Sequence, residues 1–273
     1  MFRGFYTVAS GMLAQQRRTE MLSNNMANAN TPGFKADQSA MRSFPEMLLQ
    51  RFDSKSIPTE KGLSLPSNRT VGSLSTGVYM QEAIPSFLQG DIRETGVNTD
   101  LSLIDVNMPD DGSVFFTVTG PNGDVSYTRN GNFTLDGSGF LTTAAGLYVL
   151  NDQGQRIQLS SDDFTVGEDG ILNGAAGETA RLGVAYANDP LSLIKEGNGL
   201  FRTENGNALP SAYNAGNIQF KMQQGFVEQS NVDTGRTMTE MMSAYRAFEA
   251  NQKVLQAYDK SMEKAANEIG RIG

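Results

Sequence analysis

The 273 residues predict an α+β fold, with long N- and C-terminal helices packing as a coiled-coil-like base and a central antiparallel all-β domain between them. Three patterns carry that expectation. Met241, Phe248, Leu255, Met262 and Ile269 recur every seventh residue, the spacing that keeps one apolar seam facing a partner helix. Phe5, Met12, Thr19 and Met26 repeat that spacing near the N-terminus, with Val8 and Leu22 beside them. Between the two stripes, Asn-Gly and Asp-Gly pairs separate short β-branched and aromatic runs. Those pairs accept the positive φ of tight hairpins.

Taken in chain order, the first helix reads over residues 3–29, with Gln15, Gln16, Arg17, Arg18 and Glu20 on its polar back. It stops at Asn28-Ala29-Asn30-Thr31-Pro32-Gly33, because Pro32 lacks an amide hydrogen and Gly33 tolerates positive φ. Asn24, Asn25 and Asn28 are poor helix formers just before this stop, which fits either fraying or a specific hydrogen-bonding role. Ser39 to Phe52 reads as a short amphipathic helix, and the Ser, Thr, Pro and Gly of residues 53–78 as a linker or irregular arm.

Short strands are expected from about Val78 to Val227, among them Val114–Thr119, Val125–Arg129, Phe133–Leu135, Leu182–Ala187, Leu200–Thr203 and Ile218–Met222. The last helix starts near Asp233 or Thr234, either of which can cap exposed amides, and Glu240 opposes the helix dipole near its start. The division that follows is 1–35 for the N-terminal helix of the base, 36–77 for the arm, 78–227 for the β domain and 228–273 for the C-terminal helix.

Composition narrows the chemistry. Cysteine and histidine are absent, which removes Cys/His zinc sites, Ser-His-Asp triads, thiol nucleophiles and disulfides. The net charge of −8 is concentrated in residues 89–227, which carry −10, while residues 1–35 carry +3. An acidic body repels phosphate backbones, so no nucleic-acid partner is expected. Gly4, Thr7, Ser10 and Gln15 interrupt the N-terminal apolar residues, so no cleaved signal peptide is expected there, and no apolar run is long enough for direct membrane insertion.

The candidate reactive groups fall away on spacing. Asp105, Asn107, Asp110 and Asp111 imitate a calcium loop, but Pro109 stands where a ligand belongs and no glutamate closes the loop. Asp162-Asp163 and Glu168-Asp169 could act as paired carboxylates in glycoside hydrolysis, yet acids beside turns are usually turn formers. Gly197-Asn198-Gly199 lacks the third glycine of a dinucleotide fingerprint and reads as a turn. No catalytic, cofactor-binding or metal-ligating set emerges, and no cofactor is expected.

The ends are more specific. Ser23-Asn24-Asn25-Met26-Ala27-Asn28-Ala29-Asn30-Thr31-Pro32-Gly33-Phe34-Lys35 resembles the N-terminal signature of the bacterial flagellar rod and hook proteins. Ser230-Asn231-Val232-Asp233, Glu240-Met241-Met242, Tyr245-Arg246-Ala247-Phe248-Glu249-Ala250-Asn251 and Lys253-Val254-Leu255 are similar to the closing signature of the same family. Tyr127-Thr128-Arg129-Asn130-Gly131-Asn132-Phe133 and Leu141-Thr142-Thr143 match the β-domain pattern of its distal- and proximal-rod members.

The resemblance implies a non-enzymatic rod subunit that links motor and hook, transmits torque and polymerises helically. Its implied partners are copies of itself, other rod and hook subunits and the flagellar type III export apparatus. Its implied location is the flagellar basal body, outside the cytoplasmic membrane after export. The assembly interface would use Phe5, Met12, Asn25, Met26, Asn28, Pro32 and Gly33 at one end, and Met241, Tyr245, Phe248, Asn251, Leu255, Met262 and Ile269 at the other. Two rival readings of the residues are a carboxylate-only cell-wall glycan hydrolase and a stalked β-domain binding module.

Overall fold

The computed structural model describes residues 2–57, 63–109, 112–120, 123–216 and 218–269. The chain forms two compact units, one from Met1–Ser23, Ser39–Ala83 and Met238–Gly273, the other from Asn24–Gln38 and Ile84–Thr237.

The first unit holds most of helix α1 (Phe2–Ala27) and of helix α2 (Thr234–Lys264), which continues into a π-helical turn over Ala265–Ile269. Helix α2 begins where the sequence places a cap, since the Asp233 carboxylate accepts the Arg236 amide at 2.9 Å. The helices run antiparallel, with Gly4 against Tyr258, Gly11 against Asn251, and Arg18 paired with Glu240 at 3.2 Å.

The expected coiled-coil-like base is corrected by this packing. A coiled coil seats its seventh-residue apolar side chains in holes of the partner helix. Here Phe5, Met12, Thr19 and Met26 on α1, and Met241, Phe248, Leu255 and Met262 on α2, are only half-buried. The buried side chains of the two helices include Ala14, Leu22 and Ala244 instead. Gly4, Gly11 and Arg18 share a seven-residue spacing of their own, one position away from the apolar stripe. Close approach at glycine leaves no room for large knobs, so the large side chains flank the contact.

Strands β1 (Asp37–Ser43) and β4 (Val78–Pro85) pair with each other. Strands β2 (Met47–Ile57) and β3 (Leu63–Leu74) form an antiparallel ribbon from Met47↔Leu74 to Ile57↔Leu63, with Val71 bulging between the Leu49↔Gly72 and Gln50↔Thr70 pairs. The helix expected over Ser39–Phe52 is therefore two strands. Pro45 in its middle cannot continue a helix, and cross-strand pairing overrides the local amphipathic spacing.

The second unit is all-β apart from short 3₁₀ turns and the helix ends that enter it. Its strands are β5 (Ile92–Glu94), β6 (Leu101–Asn107), β7 (Ser113–Thr119), β8 (Val125–Thr128), β9 (Phe133–Leu135), β10 (Leu141–Thr143), β11 (Phe164–Val166), β12 (Ile171–Gly174), β13 (Thr179–Arg181), β14 (Val184–Ala187), β15 (Leu193–Lys195), β16 (Leu200–Thr203), β17 (Gln219–Gln224) and β18 (Phe226–Glu228). A five-stranded sheet in the order β14-β7-β8-β16-β15 is its centre, and β5 pairs with β18 and β6 with β17.

The run Val114-Phe115-Phe116-Thr117-Val118 explains why that sheet is buried on both faces. Alternate side chains point to opposite faces. Val114, Phe116 and Val118 join a core with Leu101, Leu103 and Phe133, while Phe115 packs with Tyr127, Ala185 and Phe201 on the other side. Truncating Phe115 or Phe116 to alanine costs about 3–5 kcal/mol by analogy with other buried aromatic side chains.

Candidate functional site

Two places in the molecule bring sequence-predicted residues together. The first is the junction in the second unit where α1 ends and α2 begins. After Ala27 the chain turns, with the Thr31 amide donating to Asn28 O at 3.1 Å, and Gly33 adopts φ +67°. A Cβ at Gly33 would lie against the Arg129 carbonyl carbon and the Asn130 nitrogen, so both the conformation and the space require glycine.

The asparagines before the turn bond specifically. Asn25, which is buried, donates from Nδ2 to Asp37 O at 2.8 Å and accepts the Asp37 amide at 2.9 Å. Asn28 donates to Asn24 O at 2.9 Å and accepts from Thr31 Oγ1 at 3.2 Å. For Asn25 and Asn28 the hydrogen-bonding reading describes the fold, whereas Asn24 is exposed and contributes its backbone carbonyl. Pro32, half-buried, completes the turn.

Below the turn lies a buried ionic cluster. Glu228 accepts Lys35 Nζ at 2.7 Å and the Gly90 amide at 3.0 Å on Oε1, and Arg129 Nε at 2.7 Å on Oε2. Arg129 also donates to both Asp105 oxygens, at 2.9 and 3.2 Å, and to the Val114 and Leu103 carbonyls. The side chains of Lys35 and Arg129 are 0% exposed and that of Glu228 1%. Such charges are tolerable out of water only because each is paired and hydrogen-bonded.

Burial alone would raise the Glu228 pKa, but the nearby charges of Arg129 and Lys35 outweigh it and hold the carboxyl below the usual carboxylate range. Burial lowers the Lys35 pKa, helped by the charge of Arg129 and opposed by Glu228. The burial cost to Arg129 is overcome by Glu228 and Asp105, which keep it charged. The Asp105 carboxylate, considered above as a calcium ligand, is thus occupied by a guanidinium.

Asn231 closes the junction. Its Oδ1 accepts the Ala36 amide at 2.7 Å, and its Nδ2 donates to Ser86 O at 2.8 Å and Leu88 O at 2.9 Å. Three passages of the chain are tied by one side chain.

The second place is the helix pair of the first unit. Tyr245 and Phe248 line a groove with Gln16, Thr19, Glu20 and Ser23. Tyr245 is 55% exposed, and Phe5 meets Tyr6 edge-on at 6.1 Å between ring centres. Asn251 faces Gly11, whose Cβ, were one present, would stand 3.2 Å from Asn251 Nδ2. The side chain of Ile269 lies outside the described ones. The junction residues Asn25, Asn28, Pro32 and Gly33 and the helix-pair residues therefore fall into separate sites.

The comparisons with known proteins follow the same geography. Residues 5–35 match the flagella basal body rod protein model, residues 111–174 the flagellar hook protein FlgE/F/G D1 domain model, and residues 223–268 the flagellar basal body rod FlgEFG protein C-terminal model. The chain is similar to the flagellar hook-basal body complex protein FlhO of Bacillus subtilis, at 46% identity over 100% of both chains. The chain belongs to the flagellar basal-body rod and hook protein family. It is also 30% identical to the basal-body rod protein FlgF of Caulobacter vibrioides, over 100% of this chain and 99% of that one, and 29% identical to FlgG of Borreliella burgdorferi, over 98% of each.

Within this rod and hook family member, sequence reasoning missed the roles of Lys35, Asp105, Arg129, Glu228 and Asn231. Lys35, Arg129 and Asn231 do stand inside the motif runs, Lys35 between Phe34 and Ala36 and Arg129 between Thr128 and Asn130, with nothing local to mark their partners. Glu228 follows Phe226-Val227 in a strand without any mark of its partners.

Proposed function

We propose that the chain is a non-catalytic structural subunit of the flagellar basal-body rod that polymerises helically through its terminal helices, linking motor and hook and transmitting torque. In this reading it binds copies of itself and other rod and hook subunits, and it passes unfolded through the flagellar type III export apparatus without a cleaved signal. Its working place is the basal body outside the cytoplasmic membrane. The division into a helical base, an arm and a β domain, with the interface residues at the two ends, belongs to the same proposal.

The observation that carries the reading is the helix pair closed through Gly4 and Gly11. It leaves Tyr6, Leu13, Met238, Met242, Tyr245 and Val254 exposed, together with half-buried Phe248 and Leu255. Apolar stripes of this kind are stable once covered by neighbours, and a head-to-tail contact that does not close builds a filament. The names of the relatives support the same role. Exposure of Asp162-Asp163 and Glu168-Asp169, with Glu168 paired to Lys221 at 2.8 Å, favours turn and surface roles over hydrolysis.

The test is deletion of the gene, followed by motility assays and electron microscopy of purified basal bodies. Incomplete rods or hooks are expected, restored by the wild-type gene but not by Phe248→Asp. Normal basal bodies and motility in the deletion strain would remove the proposal, and release of cell-wall glycan fragments by the purified protein would replace it with the hydrolase.

A further inference from the structure

The ionic cluster gathers groups from distant parts of the chain. Lys35 and Glu228 are separated by 193 residues, and Arg129 and Glu228 by 99. Glu228 lies on β18, which pairs with β5 through Phe226↔Glu94, Val227↔Arg93 and Glu228↔Ile92. Its carbonyl accepts the Gly33 amide at 2.8 Å, and the next amide, Gln229, donates to Asp91 O at 2.8 Å. Arg129 directly follows β8, a strand of the central sheet, and donates into β6 and β7 through Leu103 and Val114.

In charge, Lys35 and Arg129 are balanced by Glu228 and Asp105. Before Glu228 arrives, two cations would share one carboxylate in a space sheltered from water. Removing one partner of a buried ion pair leaves an uncompensated charge, which shifts a folding equilibrium by about two to four powers of ten. We propose that Glu228 is the closing latch of the second unit. The β core does not reach its folded state until the C-terminal segment carrying Glu228 has joined Lys35 and Arg129, so folding waits for both ends of the chain. This goes beyond the assembly reading and does not depend on it.

The test uses hydrogen exchange on the full-length chain. Glu228→Gln keeps the shape but removes the charge, and points an amide donor at a cation. Protection of the β7 and β8 amides is expected to fall by about 100- to 5,000-fold. Adding Lys35→Met removes the surplus cation and is expected to recover at least tenfold of that loss, which a merely misfolded variant would not do. Loss confined to residues 33–36, 88–93 and 226–231, or no recovery in the double variant, would overturn the latch. A second measurement is pulse labelling while the wild-type chain refolds. The β7 and β8 amides should become protected no earlier than those of Gly33 and Gln229, and earlier protection would also overturn it.

Discussion

Gly33 is where backbone conformation and packing make the same demand. Its φ is +67°, and a side chain there would meet the Arg129–Asn130 peptide. Gly33→Val should destabilise the second unit by about 1–2 kcal/mol from the left-handed conformation alone, with overcrowding adding about 1–3 kcal/mol. Ser39→Val, in strand β1, should stay within about 1 kcal/mol. Urea unfolding of the two variants checks this, and equal midpoints would remove the turn as a structural determinant. That turn was legible because Pro-Gly after a helix has a local meaning. The ion cluster was not, since no periodicity links positions 35, 129 and 228.

Glu228 also sets a pH dependence. Its folded pKa lies below the ordinary unfolded value of about 4.3. The native state therefore binds fewer protons, and the contribution is present above that value and lost as pH falls through the lower folded one. Between about pH 5 and pH 3, the urea midpoint of the wild type should fall more steeply than that of the Lys35→Met/Glu228→Gln variant. Parallel curves would mean that other carboxylates govern the acid limb.

Among the elements, those with a strong local period were readable. Val114-Phe115-Phe116 announces a strand buried on both faces, and Asp233 announces the start of α2. The heptad stripes were read correctly as apolar faces and incorrectly as the contact between α1 and α2. Spacing says which residues share a face and leaves open what that face meets; here Gly4 and Gly11, at the same spacing one position away, take the partner helix. The β2–β3 ribbon was hidden because its pairing is long-range and its strands lack a clean alternation.

Gly11→Leu follows from that contact. The substitution raises intrinsic helix propensity by about 0.8–1 kcal/mol, yet its side chain must displace Asn251. Far-UV circular dichroism should therefore retain its helical signal while motility is lost and the thermal transition of the second unit stays in place. Full motility would mean that close approach of the helices is dispensable. Phe248→Asp should likewise block rod assembly without unfolding the second unit, because an unpaired carboxylate in a covered seam costs several kcal/mol.

For the molecule as a whole, the two units should differ in stability when the chain is isolated. Helices with half-buried stripes are marginal in water, whereas the second unit buries an apolar cluster on each face of its central sheet. Hydrogen exchange on dilute protein should give slow amides within residues 84–237 and fast ones in residues 2–23. Slow exchange at both terminal helices of a monomer would argue against a surface completed by neighbours.

The junction also decides where a tensile load would travel. Residues 24–38 and the stretch up to Thr237 belong to the same body, and they meet directly through Gly33, Lys35, Glu228 and Asn231. Within the second unit, tension entering at residue 24 and leaving at Thr237 is carried across this short span, and the five-stranded sheet belongs to the loop between its two anchor points. A chain stretched by its termini should first part α1 from α2 at the Gly4–Tyr258 end; within the second unit the Lys35–Glu228 clasp should yield next, and the β ladders should peel apart only after it.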